Sequence, residues 1–264
     1  MTSGTAAAAS PLDVNVASAV AVGAAAGLIG GLFGVGGGIV IVPALMAWSG
    51  LERRRANGTS LAATLPIAAA SCITYAANGH VDVPVAVILS VGAIGGSALG
   101  AELLTKIPRT PLIILFVMTI LATAVRLLTS SETAGRGDLT WFTIAEFVVV
   151  GFVTGLLAGL LGIGGGVVMV PAMVVLLLMT PVAAKGTSTA VIVPSAIMGT
   201  MRNRANGNVD LRIAAVVGGT GIALAVVGSL ISTVISDAVS NALFGVLLIV
   251  IAATQIRSLV RGVD

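Results

Sequence analysis

The sequence has very little of what most catalytic and metal sites require. It contains one cysteine, Cys72, one histidine, His80, and only 3% aromatic residues in a chain of 264. A single cysteine excludes an internal disulfide and a cysteine-rich metal site, and a single histidine excludes a histidine cluster around a metal. An enzyme acting within a membrane would need a nucleophile with its base, or a metal. We therefore predict no enzymatic activity, no cofactor and no metal.

Charge is scarce as well. Only 9% of the residues are charged and 57% are hydrophobic, with a mean hydropathy of +1.14. A soluble domain carries about 25% charged residues, so we expect most of this surface to face lipid. The net charge of +3 comes from basic residues in short loops, which membrane topology explains better than nucleic-acid binding does. The first eleven residues lack the basic stretch of a cleaved signal peptide.

What the chain does contain is an internal repeat. The second half repeats the first at a fixed offset of 128 residues, with no insertion between the matched stretches. These stretches are 32–44 with 160–172, 56–60 with 184–188, and 78–82 with 206–210. A repeat this long in so apolar a chain indicates a membrane transporter built from two related halves. We place the halves at residues 1–128 and 129–264.

Each half divides into five apolar segments. They are expected at 15–33, 38–51, 59–77, 83–105 and 110–128, then at 143–161, 166–179, 187–205, 212–233 and 238–256. Most reach the ~20 residues that a membrane-crossing helix needs, but the second segment of each half is much shorter. The short segments either cross the membrane or form re-entrant hairpins. The sequence thus predicts an all-α integral membrane protein of about ten segments with glycine-broken helices.

The distribution of basic residues predicts the orientation. With a cytoplasmic N-terminus and five crossings in each half, ten of the 13 Lys and Arg residues fall in cytoplasmic loops, as the positive-inside rule requires. An odd number of crossings turns the second half upside down relative to the first. We therefore predict an inverted-topology repeat with both termini in the cytoplasm. Trp48, Tyr75 and Trp141 lie near segment ends, where interfacial aromatic residues are expected.

A run of glycines interrupts each half at the same place. Glycine costs about 1 kcal/mol relative to alanine in a helix, and unwound backbone within a membrane is tolerated only where it is packed in protein or lines a wet cavity. Bare amides and the N-terminus of the next helix favour an anion. We predict that the two runs bind a small anionic substrate; their residues are Gly36, Gly37, Gly38, Gly164, Gly165 and Gly166.

Other glycines have a simpler interpretation. The ladder Gly92, Gly96 and Gly100 has the spacing that lets two membrane helices pack closely. Such a ladder suits either internal packing or a homodimer interface.

Polar residues open the third segment of each half. They are Asn57, Thr59, Ser60, Lys185, Thr187 and Ser188. We predict that they line the anion site, while the alternative is that the Thr and Ser side chains cap that helix. Lys185, which replaces Asn57, either attracts an anion within the membrane or extends its side chain to the outer surface.

Two pairs of residues are candidates for gating. Pro66 and Pro194 remove a helical hydrogen bond and kink their helices, which suits a moving gate or a fixed packing contact. Asp82 and Asp210 follow Asn-Gly turns, where an aspartate commonly caps the next helix. Their symmetric placement equally suits paired gates on opposite faces. No mid-membrane carboxylate stands out, so proton coupling is left open.

Taken together, these motifs resemble those of a known family. The paired Gly-x-Gly-Gly-Gly runs, the Ala-x-Gly-Thr-Ser stretches and the Asn-Gly-x-Val-Asp turns are similar, over about residues 17–256, to those of the sulfite exporter TauE/SafE family of membrane permeases. The resemblance implies secondary transport of a small sulfur-containing or organic anion, such as sulfite, thiosulfate, sulfoacetate or another sulfonate. The residues themselves leave open a passive anion channel and a structural subunit of a membrane complex.

Overall fold

The computed structural model describes residues 16–103, 117–118, 139–162, 164–176 and 178–260. Within these residues the chain forms nine helices and no strand, so the prediction of an all-α protein is confirmed. The helices are α1 (Val16–Phe33), α2 (Gly38–Ser49), α3 (Arg53–Ala77), α4 (Val83–Leu103), α5 (Trp141–Leu161), α6 (Gly166–Leu176), α7 (Pro181–Ala205), α8 (Leu211–Val234) and α9 (Asp237–Val260).

The expected segments match these helices to within four residues at each end, except at two starts. Both α3 and α7 begin six residues earlier than expected. Thr180 caps α7 by accepting a hydrogen bond from the amide of Ala183, and Pro181 takes the first helical position, where proline is favoured. The arginines that open α3 are polar but are good helix formers. The segment expected at 110–128 lies outside the described residues, apart from Val117 and Met118, which are helical.

Among the described residues, six helices are long and apolar enough to cross a membrane. They are α1, α3, α4, α5, α8 and the part Asp237–Thr254 of α9. Helix α2 is apolar but shorter. The length and composition of these helices are those of a multi-pass membrane protein.

Close glycine contacts join the two halves. A Cβ atom on Gly27 of α1 would lie 2.2 Å from the carbonyl oxygen of Gly221 in α8, and one on Gly96 of α4 would lie 2.1 Å from that of Phe152 in α5. Only glycine permits backbones to approach this closely. The ladder formed by Gly92, Gly96 and Gly100 therefore packs against α5 of the same chain. Of the two interpretations, internal packing is the one that the structure confirms.

The third helices of the two halves, α3 and α7, run antiparallel. A Cβ atom on Gly58, near the start of α3, would lie 3.1 Å from the Cβ atom of Asn203, near the end of α7. Conversely, one on Gly186, near the start of α7, would lie 2.9 Å from the Cβ atom of Tyr75, near the end of α3. The start of each helix thus contacts the end of the other.

The buried apolar residues form two large clusters and a small one. One large cluster is built mainly from α1, α2, α3 and α8, and the other mainly from α4, α5, α6, α7 and α9. The small cluster of Ala68, Ile192 and Ala196 lies between α3 and α7. These two helices therefore lie at the centre of the packing between the halves.

The aromatic residues divide into two groups. Trp48 and Trp141 are exposed, as expected of interfacial side chains. Tyr75 is fully buried, and its hydroxyl donates a hydrogen bond to the carbonyl oxygen of Gly31 at 2.6 Å. The interfacial prediction for Tyr75 is wrong because its hydroxyl finds a partner inside the protein.

Candidate functional site

The two glycine runs are non-helical breaks, as predicted. The first break, 34–37, separates α1 from α2, and the second, 162–165, separates α5 from α6. Each contains backbone in the left-handed region, for example at Gly36 with φ 75° and Gly164 with φ 87°. This conformation is routine only for glycine. The glycines are therefore required by the backbone of each break.

The structure brings the two breaks into direct contact. A Cβ atom on Gly166 would lie 2.6 Å from the carbonyl oxygen of Gly34 and 2.6 Å from the Cα atom of Val35. A Cβ atom on Gly164 would lie 3.0 Å from the carbonyl oxygen of Val35. No residue other than glycine fits at position 166 without moving the backbone of the first break. The two breaks therefore form a single junction.

Several amides at this junction have no hydrogen-bond partner among the described residues, whereas the amide of Gly166 donates to the carbonyl oxygen of Gly164 at 2.9 Å. In the described part of the chain, the amides of Gly36, Gly37 and Gly38 donate no hydrogen bond, although the carbonyl group of Gly37 accepts two from α2. The second break is similar: the carbonyl group of Gly165 accepts two hydrogen bonds from α6, while its amide donates none to any described residue. Free amides at a helix N-terminus attract an anion.

Thr64 contacts both breaks and was missed by the sequence analysis. Its Cγ2 atom would lie 2.7 Å from a Cβ atom on Gly36 and 3.4 Å from one on Gly164. Thr64 is fully buried, and none of the residues that the structure describes forms a hydrogen bond with its hydroxyl. The repeat could have drawn attention to Thr64, because the equivalent residue in the second half is the apolar Ile192. A buried hydroxyl without a partner is costly, which makes Thr64 a candidate ligand of the anion.

The threonines that open the matched motifs hold the two halves together. The hydroxyl of Thr59 accepts a hydrogen bond from the amide of Asp210 at 2.9 Å, and that of Thr187 accepts one from the amide of Asp82 at 2.9 Å. We call these reciprocal contacts the two clasps. The alternative that these threonines cap their helices is wrong, because α3 and α7 begin a turn or more before them.

The two aspartates cap the next helices, as expected. The Oδ1 atom of Asp210 accepts hydrogen bonds from the amides of Arg212 and Ile213, and that of Asp82 accepts one from the amide of Val85. Each aspartate therefore joins a cap of one helix to a clasp with the opposite half.

Replacing Thr59 with valine is expected to destabilise the fold. The change leaves the amide of Asp210 without its acceptor, which costs about 1–3 kcal/mol where the group is buried. Thermal unfolding in detergent measures the effect. Thr233→Val is the matched control, because the hydroxyl of Thr233 donates within its own helix to Leu230. Equal unfolding temperatures for the two variants would show that the clasp contributes nothing.

The remaining candidates from the first half support the second break. The side chain of Asn57 donates a hydrogen bond to the carbonyl oxygen of Leu160 at 2.9 Å, and the hydroxyl of Ser60 donates one to that of Gly162 at 2.8 Å. The equivalent Ser188 is fully buried, and its hydroxyl has no partner within the described part of the chain. Asn57 and Ser60 therefore hold the second break in position.

Lys185 is only 1% exposed, so the interpretation that it reaches the outer surface is wrong. Its Nζ atom donates hydrogen bonds to the hydroxyls of Ser232 and Ser240 at 3.0 and 2.5 Å. Its backbone lies against the first break, since a Cβ atom on Gly34 would lie 2.6 Å from the Cα atom of Lys185. The backbone of Lys185 therefore flanks the first break, while its ammonium group lies against α8 and α9.

The prolines lie within α3 and α7. The Cγ atom of Pro66 would lie 2.6 Å from a Cβ atom on Gly218 of α8. Pro194 has the equivalent position in α7 and is half-buried. Pro66 therefore packs against α8, and the predicted gating role of both prolines stays a prediction.

The two clasps differ in their surroundings. Beside Asp210, a side-chain nitrogen of Arg55 lies 3.5 Å from a carboxylate oxygen. The residue equivalent to Arg55 is Ala183, which lines an open cavity of about 260 Å³ together with His80 and Asp82. An ion pair thus covers one clasp, while the other borders a cavity.

Comparison with known proteins gives a consistent result. The model of a family described as "Sulfite exporter TauE/SafE" matches residues 3–127 and 147–262. "Probable membrane transporter protein YunE" of Bacillus subtilis is 30% identical over 72% of this chain and 79% of its own length. A "Probable membrane transporter protein" of Xylella fastidiosa is 31% identical over 91% of this chain and 93% of its own. No solved structure gives a significant match.

Proposed function

Since the chain belongs to the sulfite exporter TauE/SafE family, we propose that it is a secondary transporter of a small sulfur-containing or organic anion. Sulfite, thiosulfate, sulfoacetate and other sulfonates are the substrate class that the family's name and the anion chemistry of the site favour. The protein would carry this anion across the cytoplasmic membrane by alternating access. The observation that carries the proposal is the junction of the two breaks, with its free amides and the unpartnered hydroxyl of Thr64.

The chemistry of the junction suits an oxyanion. Sulfite and sulfonate oxygens accept hydrogen bonds, and the groups facing them here are the amides of Gly36, Gly37 and Gly38 and the hydroxyl of Thr64. The N-termini of α2 and α6 add positive dipole ends. We propose that these groups, with Gly164, Gly165 and Gly166, bind the anion near the midplane.

The proposed architecture is a repeat of five and five segments, inverted between residues 1–128 and 129–264. The antiparallel contact between the equivalent helices α3 and α7 supports the inversion, because halves in the same orientation would place these helices parallel. The reciprocal clasps support a two-fold relation between the halves. Binding at the midplane between inverted halves with broken helices is the common arrangement in secondary transporters. We propose, from the distribution of the basic residues, that both termini lie in the cytoplasm.

A carrier fits this geometry better than a passive channel. A channel needs a continuous open path, whereas backbone meets backbone where Gly166 contacts Gly34 and Val35. The halves must therefore move to let an anion pass. We propose that Asp82 and Asp210, each at a clasp, mark the two gates, and that the kinked helices of Pro66 and Pro194 carry the movement.

A panel of anions tests the proposed substrate class. Sulfite, thiosulfate, sulfoacetate, sulfate and acetate are each added to the protein in detergent, and thermal unfolding is followed. A ligand at 100 times its dissociation constant adds about 2.7 kcal/mol of stability. We expect at least one of the first three anions to raise the unfolding temperature more than acetate does. No shift with any sulfur anion would contradict the proposal.

A further inference from the structure

Lys185 differs from every other charged residue in the described part of the chain, because it is the one that is almost fully buried. It lies one turn inside α7, with its backbone against Gly34 of the first break. An ionisable side chain inside a membrane protein is costly and is usually retained for function. Its surroundings indicate what that function is.

The partners of the ammonium group are neutral. Ser232, near the end of α8, and Ser240, in the first turn of α9, accept its two hydrogen bonds. The ring of Phe33, the last residue of α1, lies 5.6 Å from the Nζ atom. Among the described residues, no carboxylate lies within 4.0 Å of it. The carboxylate of Asp237, in the first turn of α9, attracts the ammonium group from a greater distance. The direct hydrogen bonds of the ammonium group are made to neutral hydroxyls, and a charged acceptor would bind it more strongly.

The second break has no such charge. Asn57 takes the place of Lys185 there, and its amide group is bonded to the carbonyl oxygen of Leu160. The surroundings of the two clasps also differ between the halves. The end of α7 that carries Lys185 borders the open cavity at Ala183, whereas the ion pair of Arg55 and Asp210 covers the equivalent place on α3.

We propose that Lys185 is a one-sided counter-charge: its ammonium group binds the transported anion on one side of the membrane only. This role rests on the proposed function. An anion entering or leaving on the side where α7 begins replaces Ser232 and Ser240 as the partner of the ammonium group. The replacement is favourable because a charged acceptor forms a stronger hydrogen bond than a neutral hydroxyl does. The two faces of the transporter therefore bind the anion with unequal affinity.

Exchanging the residues at the two equivalent positions tests the role. Transport of radiolabelled sulfite, thiosulfate and sulfoacetate is measured in right-side-out and inside-out membrane vesicles. Lys185→Asn, which copies the first half, is expected to raise KM about tenfold on one face, equivalent to about 1.4 kcal/mol, and to leave the other face nearly unchanged. The double variant Lys185→Asn with Asn57→Lys is expected to move the higher affinity to the opposite face.

A purely structural role for Lys185 predicts a different pattern. If the lysine only ties α7 to α8 and α9, Ser232→Ala with Ser240→Ala should raise KM on both faces and lower the unfolding temperature as Lys185→Asn does. The counter-charge role predicts instead that removing both hydroxyls leaves the affinity on the Lys185 face unchanged or higher. Lys185→Arg should retain the difference between the faces.

The outcomes separate the two proposals. If the wild-type protein transports none of the three anions, the proposed function fails and the role of Lys185 fails with it. If the wild-type protein transports one of them and Lys185→Asn changes KM equally on both faces, only the role of Lys185 is overturned. A one-sided change supports both proposals.

Discussion

Replacing Thr64 with valine is expected to weaken anion binding by about 10–100-fold without destabilising the protein. The hydroxyl of Thr64 is buried beside both breaks and has no hydrogen-bond partner among the described residues. A hydrogen bond to a charged group contributes about 1.5–3 kcal/mol, so an anion bound by this hydroxyl loses that much when it is removed. Valine retains the shape and removes an unsatisfied polar group, so stability should stay the same or rise.

The dissociation constant and the unfolding temperature of each variant, measured on the same preparation, test this prediction. Ser71→Ala is the matched control. Ser71 lies two turns further along α3, and its hydroxyl is also buried without a hydrogen-bond partner among the described residues. Thr64→Ser should restore most of the affinity. If Thr64→Val and Ser71→Ala bind the anion equally well, Thr64 is not a ligand.

Replacing Gly166 with alanine is expected to lower transport at least tenfold. Its added methyl group would lie 2.6 Å from the carbonyl oxygen of Gly34 and 2.6 Å from the Cα atom of Val35. Backbone cannot rotate away as a side chain can, and an overpacked site typically costs about 1–3 kcal/mol. The change therefore separates the two breaks and displaces their amides from the positions that would bind the anion.

The control for this variant is another helical glycine. In Gly219→Ala, no atom of the described residues lies within 4 Å of the added methyl group. Alanine is favoured over glycine in a helix by about 1 kcal/mol. Uptake into proteoliposomes should be normal for Gly219→Ala and strongly reduced for Gly166→Ala at equal protein content. A Gly166→Ala protein that transports like wild type would exclude the junction as the substrate site.

The features that the sequence predicted well are those that repeat or have a fixed spacing. The offset of 128 residues located the paired breaks, and the period of the ladder at Gly92, Gly96 and Gly100 indicated close helix packing. The Asn-Gly turns correctly predicted that Asp82 and Asp210 cap the following helices. These signals can be read from the sequence without knowing which helix contacts which.

The features that the sequence did not predict depend on contacts between the halves. Thr59 and Thr187 are of a residue type that often caps helices. Only the packing of α3 and α7 places them against the turns of the opposite half. Lys185 has partners on α8 and α9, 47 and 55 residues away, and so remains buried. Thr64 resembles an ordinary helix residue until both breaks are seen to contact it. The repeat shows which residues are equivalent, but it does not show which are neighbours.

The position of a bound anion tests the central claim most directly. Selenite is an analogue of sulfite, and in crystals grown with it the anomalous scattering of selenium locates the ion without a model of the site. We predict a peak at the junction of the breaks, within hydrogen-bonding distance of the amides of Gly36 to Gly38 and the hydroxyl of Thr64. A peak elsewhere in the protein, with none at the junction, would contradict the account.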